Sequence, residues 1–62
     1  MPINRIKSVL SEKNLTSLWL SNKLGKNTTT ISRWCQNKTQ PDLLTLKKIS
    51  ELLDVSIKEL LI

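Results

Sequence analysis

The sequence predicts an all-α chain of five short helices. Apolar residues recur at three- and four-residue spacings along its length, with no strand-like alternation and no internal repeat. Residues able to cap a helix N-terminus stand ahead of these blocks at Thr16, Asn27, Asp42 and Ser56. Residues that tolerate a left-handed helix end follow the first three blocks, at Asn14, Gly25 and Asn37. With 62 residues the chain is expected to form one domain, near the lower size at which a core suffices without a metal or disulfide. It holds no His and one cysteine, Cys35, so neither a zinc-ligand set nor an internal disulfide can be built. Stability must come from packed aliphatic side chains.

Ile6, Val9 and Leu10 give the first helix an apolar stripe, and Asn14 ends it. Thr16 caps the second, with Leu15 and Leu20 as its hydrophobic staple and Leu20 and Leu24 on the buried face. Gly25 stops that helix and Asn27 caps the third, residues 28 to 36. There Ile31, Trp34 and Cys35 share the inner face, while Thr28, Thr29, Ser32, Arg33 and Gln36 point outward. Three consecutive threonines start a helix poorly, because a β-branched side chain loses rotamer freedom against the preceding turn. A demand other than local stability is expected to hold them there. Asn37 closes the helix and "NKTQP" forms a loop. A fourth helix runs from Asp42 with Leu43, Leu46, Ile49, Leu52 and Leu53 inward. The fifth begins at Ser56, where Ser56 and Glu59 form a capping box flanked by the Val55–Leu60 staple.

Net charge is +5, and its placement matters more than its size. Lys13, Lys23, Lys26, Arg33 and Lys38 lie between positions 13 and 41 with no Asp or Glu among them. The flanking segments cancel one another, so the whole excess sits mid-chain. Such a segment suits a polyanion, since each phosphate neutralised by Lys or Arg releases counterions. Catalysis finds no footing: there is no His, no nucleophile–base set and no glycine-rich phosphate loop. Asp42 reads as a cap, and Glu51, Asp54 and Glu59 as dispersed solvated charges. No enzyme, cofactor or metal is therefore expected. The apolar runs are too short to cross a bilayer, and "MPINRIKSVL" lacks a secretory h-region, so a cytoplasmic location is expected.

Two short helices joined by a glycine turn make a helix-turn-helix. The stretch "LTSLWLSNKLGKNTTTISRWCQNKTQPDLLTLKKISELLDVSIKELL" resembles the Cro and phage-repressor-like (XRE-type) helix-turn-helix family over nearly the whole chain. The family reads Leu-Thr-Gln, then Leu-Ala-x-x-Leu-Gly, then Ser-x-x-Thr-Ile-Ser-x-Trp-Glu-x-Gly-Lys-x-x-Pro. The matching residues are Leu15, Thr16, Leu20, Leu24, Gly25, Thr30, Ile31, Ser32, Trp34, Lys38 and Pro41. The resemblance implies a compact lambda-repressor-like domain over residues 1 to 62, a transcriptional repressor of prokaryotic or phage type that binds double-stranded DNA with its third helix in the major groove. By position, Thr28, Thr29, Ser32 and Arg33 become the base readers. Threonine suits that task, offering a hydroxyl to a base edge and a methyl to the thymine methyl. Lys38 becomes the first phosphate anchor, with Thr16, Ser17, Lys23, Lys26, Gln36 and Gln40 as further phosphate contacts. Arg33 suits a guanine or a phosphate.

The chain also departs from the family pattern. Ser17 stands where a glutamine braces the recognition helix, which shortens or removes that contact. Trp19 replaces a glutamate and is read as packing. Cys35 replaces a glutamate and Leu10 an arginine, so a buried Leu10–Cys35 contact is expected in place of an ion pair. Asn37 replaces a glycine. A weak homodimer formed on DNA is expected, touching through Ile57, Leu60, Leu61 and Ile62. The competing reading is a helix-turn-helix that docks a protein partner, as an antitoxin docks its toxin, through Trp19 and the terminal "ELLI".

Overall fold

The computed structural model describes residues 2–62 and is helical: α1 (Ile6–Glu12), α2 (Ser17–Leu24), α3 (Thr28–Cys35), α4 (Leu43–Leu53) and a closing 3₁₀ helix (Ile57–Leu60). Helices of seven to eleven residues do not persist alone in water, so these depend on one another's apolar faces. Ile6, Val9, Leu10, Leu20, Ile31, Trp34, Leu46, Ile49, Leu53 and Leu60 form the core, with Leu15, Trp19, Leu24, Cys35, Val55 and Ile57 packed around it. α2 packs on α3, α1 packs on α3 and the closing helix, and the closing helix also meets α4.

The caps read from the sequence hold the helix starts. Thr16 Oγ1 accepts from the Trp19 N–H, Asn27 Oδ1 from the Thr30 N–H and Asp42 Oδ1 from the Thr45 N–H. Asn14, Gly25 and Asn37 all have positive φ, and so does Asp54, which ends α4. α1 starts differently from the others. Its N-cap, Arg5, makes no side-chain cap bond, and the Asn4 side-chain oxygen accepts from the Ile6 N–H in its place.

Three expectations need correction. The fifth helix is a single 3₁₀ turn: Ser56 makes no side-chain cap bond, and the Glu59 N–H bonds the Ser56 carbonyl three residues back. Four residues are too few for an i→i+4 ladder, and the chain straightens at Leu61 to pair with Asn4. Leu43 does not face inward but is 74% exposed. Helical side chains lean toward the N-terminus, so the first residue of α4 leans off the end of the core. Leu52 is 38% exposed because Leu46, Ile49, Ser50 and Leu53 already define the buried stripe and leave it on the flank.

The N-terminal segment is tied into this frame from both sides. Asn4 bridges antiparallel to Leu61, with Arg5 N–H donating to the Leu60 carbonyl and Ile62 N–H to the Ile3 carbonyl. On its other side it meets the loop after α3.

Candidate nucleic-acid interface

The turn between α2 and α3 sets the geometry. Gly25 has φ 66°, and an added Cβ would meet nothing within 4 Å, so backbone conformation rather than space calls for glycine. The Gly25 and Lys26 N–H groups both bond the Ser21 carbonyl. The buried Ser21 hydroxyl donates to the Lys26 carbonyl, crossing the turn a second time. Asn27 then starts α3, whose Ile31 and Trp34 enter the core. That anchoring turns the opposite face outward.

Thr28, Thr29, Ser32, Arg33, Gln36 and Lys38 share one open depression with Ser17 and Leu18 from the start of α2. All four expected base readers lie there, with three of the seven expected phosphate residues. The floor is hydroxyl-rich, and Gln36 donates to the Ser32 hydroxyl at 3.1 Å. Arg33 and Lys38 supply the positive charge along it. Ser17 is also braced against α3: its hydroxyl lies 3.8 Å from the Cys35 sulfur, either atom able to donate. Ser17 thus keeps a side-chain contact with α3. Cys35 is half-buried: it packs against the core that holds Leu10, and its sulfur lies at the α2–α3 seam beside that hydroxyl.

The remaining expected residues stand apart. Thr16 flanks the depression, and its hydroxyl already caps α2. The Lys23 ammonium lies 5.9 Å from the Trp19 ring centroid, and Lys23 borders a separate hollow with Leu24, Lys48, Glu51 and Leu52. Trp19 packs against the core, as expected. Lys26 lies close enough to help hold the Asp42 carboxyl below its ordinary range, after the Thr45 backbone and side-chain hydrogen bonds, which do most of it. Gln40 is tied inward: its oxygen accepts from Asn4 Nδ2 at 2.6 Å, and its Nε2 donates to Asn37 Oδ1 at 3.2 Å.

Three residues went unrecognised in the sequence. Leu18, 59% exposed, puts an aliphatic surface into the depression, and its position two residues from the inward Leu20 was a usable signal. Ser21 gave none beyond its place before the glycine turn. Asn4 gave none, because its partners Trp34, Asn37 and Gln40 lie thirty to thirty-six positions away.

A capped helix, a left-handed glycine turn and a second capped helix whose outer face carries hydroxyls and positive charge define a helix-turn-helix unit. The chain belongs to the helix-turn-helix family, in its Cro and phage-repressor branch; the family model matches residues 6–60. It is also similar to a solved structure described as a "putative DNA-binding protein from Bacteroides fragilis", at 52% identity over 100% of both chains and a TM-score of 0.95. No curated protein sequence matches it. No helix among the described residues is long and apolar enough to cross a membrane.

Proposed function

We propose that this chain is a sequence-specific DNA-binding transcriptional regulator, a cytoplasmic repressor acting through residues 1 to 62 as one domain and needing no cofactor. The observation that carries the reading is the convergence of Thr28, Thr29, Ser32, Arg33 and Lys38 with Ser17 on one open, hydroxyl-lined, positively charged surface. α3 enters the major groove by its first turns, where Thr28 and Thr29 meet base edges and Arg33 meets a guanine or a phosphate. Ser17, Gln36 and Lys38 hold phosphates on either side, and Leu18 offers its methyls to a thymine methyl. Thr16, Lys23 and Lys26 add charge or backbone contacts at the margins. The helix-turn-helix family and the DNA-binding description of the Bacteroides fragilis protein support the same reading.

A homodimer assembled on DNA completes it. Half-sites lie about 34–36 Å apart, and one copy extends 24 Å, so one copy cannot serve both. Leu60 is fully buried and leaves the expected contact set. The apolar hollow bordered by Ile3, Pro41, Leu43 and Leu61 is the better seat for a second copy. Selection of bound sites from random duplex DNA tests the proposal. A recovered motif with two half-sites supports it, and recovery of no motif contradicts it and favours the protein-docking alternative.

A further inference from the structure

The loop that carries Lys38 is tied down far more firmly than its backbone requires. Ending α3 takes only a residue that tolerates positive φ, and Asn37, at φ 60°, meets that need with its backbone alone. Its side chain nevertheless makes four hydrogen bonds. The Oδ1 atom accepts from Ile3 N–H at 2.8 Å, Asn4 N–H at 2.9 Å and Gln40 Nε2 at 3.2 Å, while Nδ2 donates to the Asn4 carbonyl at 3.1 Å. Asn4, 3% exposed, returns the connection: its Nδ2 donates to the Trp34 carbonyl at 2.9 Å and to Gln40. Two amides thus lock the last turn of α3, the following loop and the N-terminal segment together. That segment is itself paired with residues 60–62, so the lock rests on a fixed support.

Lys38 follows Asn37 directly, its N–H bonds the Arg33 carbonyl at 2.9 Å, and its side chain borders the depression shared by Thr28 and Arg33. We propose that the Asn4–Asn37 amide pair, with Gln40, is a positioning device that fixes the Lys38 loop toward a DNA phosphate before DNA arrives; the inference rests on the DNA-binding reading above. A loop already held in its bound conformation loses less freedom on association, so the lock adds affinity without touching DNA. It also gives Gln40 a role different from a phosphate contact.

Asn37→Gly tests the device, since glycine keeps the positive φ and removes all four bonds, and Gln40→Ala is a milder second variant. The unsubstituted protein is first titrated with a duplex recovered by selection, which separates failure of the DNA-binding reading from failure of this one. Amide exchange at Ile3 and Asn4 should quicken in Asn37→Gly while the fold persists. Affinity of the folded protein should fall about fivefold, and less in Gln40→Ala, with a shallower salt dependence and no change in base preference. In a Lys38→Ala background both further losses should vanish, because the loop then has no cation to position. A purely structural role would lower the melting temperature and leave affinity and salt slope unmoved. Affinity unchanged in Asn37→Gly, or losses that persist in full without Lys38, would overturn the inference.

Discussion

The Ser17 hydroxyl and the Cys35 thiol lie 3.8 Å apart, joining the first turn of α2 to the last turn of α3. The sequence paired Cys35 with Leu10 in a buried contact, and a half-buried thiol that also lies beside a hydroxyl predicts a milder outcome on substitution. Cys35→Ser places a second hydroxyl where Ser17 can partner it, so the loss should stay within about 1 kcal/mol. The thiol of the folded protein should label more slowly than that of the unfolded chain, but measurably. Thermal melts and timed alkylation check both; complete resistance to alkylation would mean a tighter seam than this geometry describes.

Gly25 offers a second test, because open space surrounds it while φ is positive. Gly25→Ala should destabilise by about 1–2 kcal/mol through backbone strain alone. Gly25→Asn should recover part of that loss, as Asn14 and Asn37 already adopt the same conformation in this chain. Denaturant unfolding of both variants decides; an alanine variant as stable as the parent would show that the turn does not depend on φ.

The proposed dimer seat separates from the core in a testable way. Leu60→Ala should cost about 2–5 kcal/mol, as for any fully buried leucine. Leu43→Asp, at an exposed site, should leave the fold intact and abolish two-copy occupancy of an operator fragment. Sedimentation with that fragment reads the stoichiometry, and unchanged two-copy binding would place the contact elsewhere.

Asp42 links stability to acid. Its folded pKa lies below the ordinary value of 3.8, chiefly through its hydrogen bonds from Thr45. The unfolded chain therefore takes up this proton first as pH falls. The stabilisation is complete above the unfolded value and is lost as pH drops through the folded one. Asp42→Asn keeps an N-cap acceptor but should flatten this acid limb below about pH 4. Melting temperatures at stepped pH test it, and an unchanged limb would assign the acid response to other carboxylates.

Local chemistry was the legible part of this molecule. Thr16, Asn27 and Asp42 cap where capping residues should, and Asn14, Gly25 and Asn37 turn where left-handed residues should, because each depends on neighbours within a turn. The outward face of α3 followed from helical spacing once Ile31 and Trp34 were placed inside. What escaped depends on distant contacts. Asn37 showed its conformation but not its bonds to Asn4, since side-chain pairing across thirty-three positions leaves no periodic trace. Leu43 and Leu52 fitted the apolar spacing, yet spacing does not tell where a core ends. Gln40 and Lys23 share the basic mid-chain segment, but the fold directs one into a lock and the other toward Trp19.

The most direct test of the central claim is binding of Thr28→Ala, Thr29→Ala, Arg33→Ala and Lys38→Ala to a panel of single-base operator variants at two salt concentrations. Thr28 and Thr29 should each relax preference at particular positions by about 1–3 kcal/mol, and Lys38→Ala should weaken every sequence alike while lowering the salt slope by about one. Arg33→Ala should relax one position if it reads guanine, or shift all sequences together if it holds a phosphate. A base-preference profile left intact by all three α3 substitutions would contradict the account, because the helix would then not be the reader.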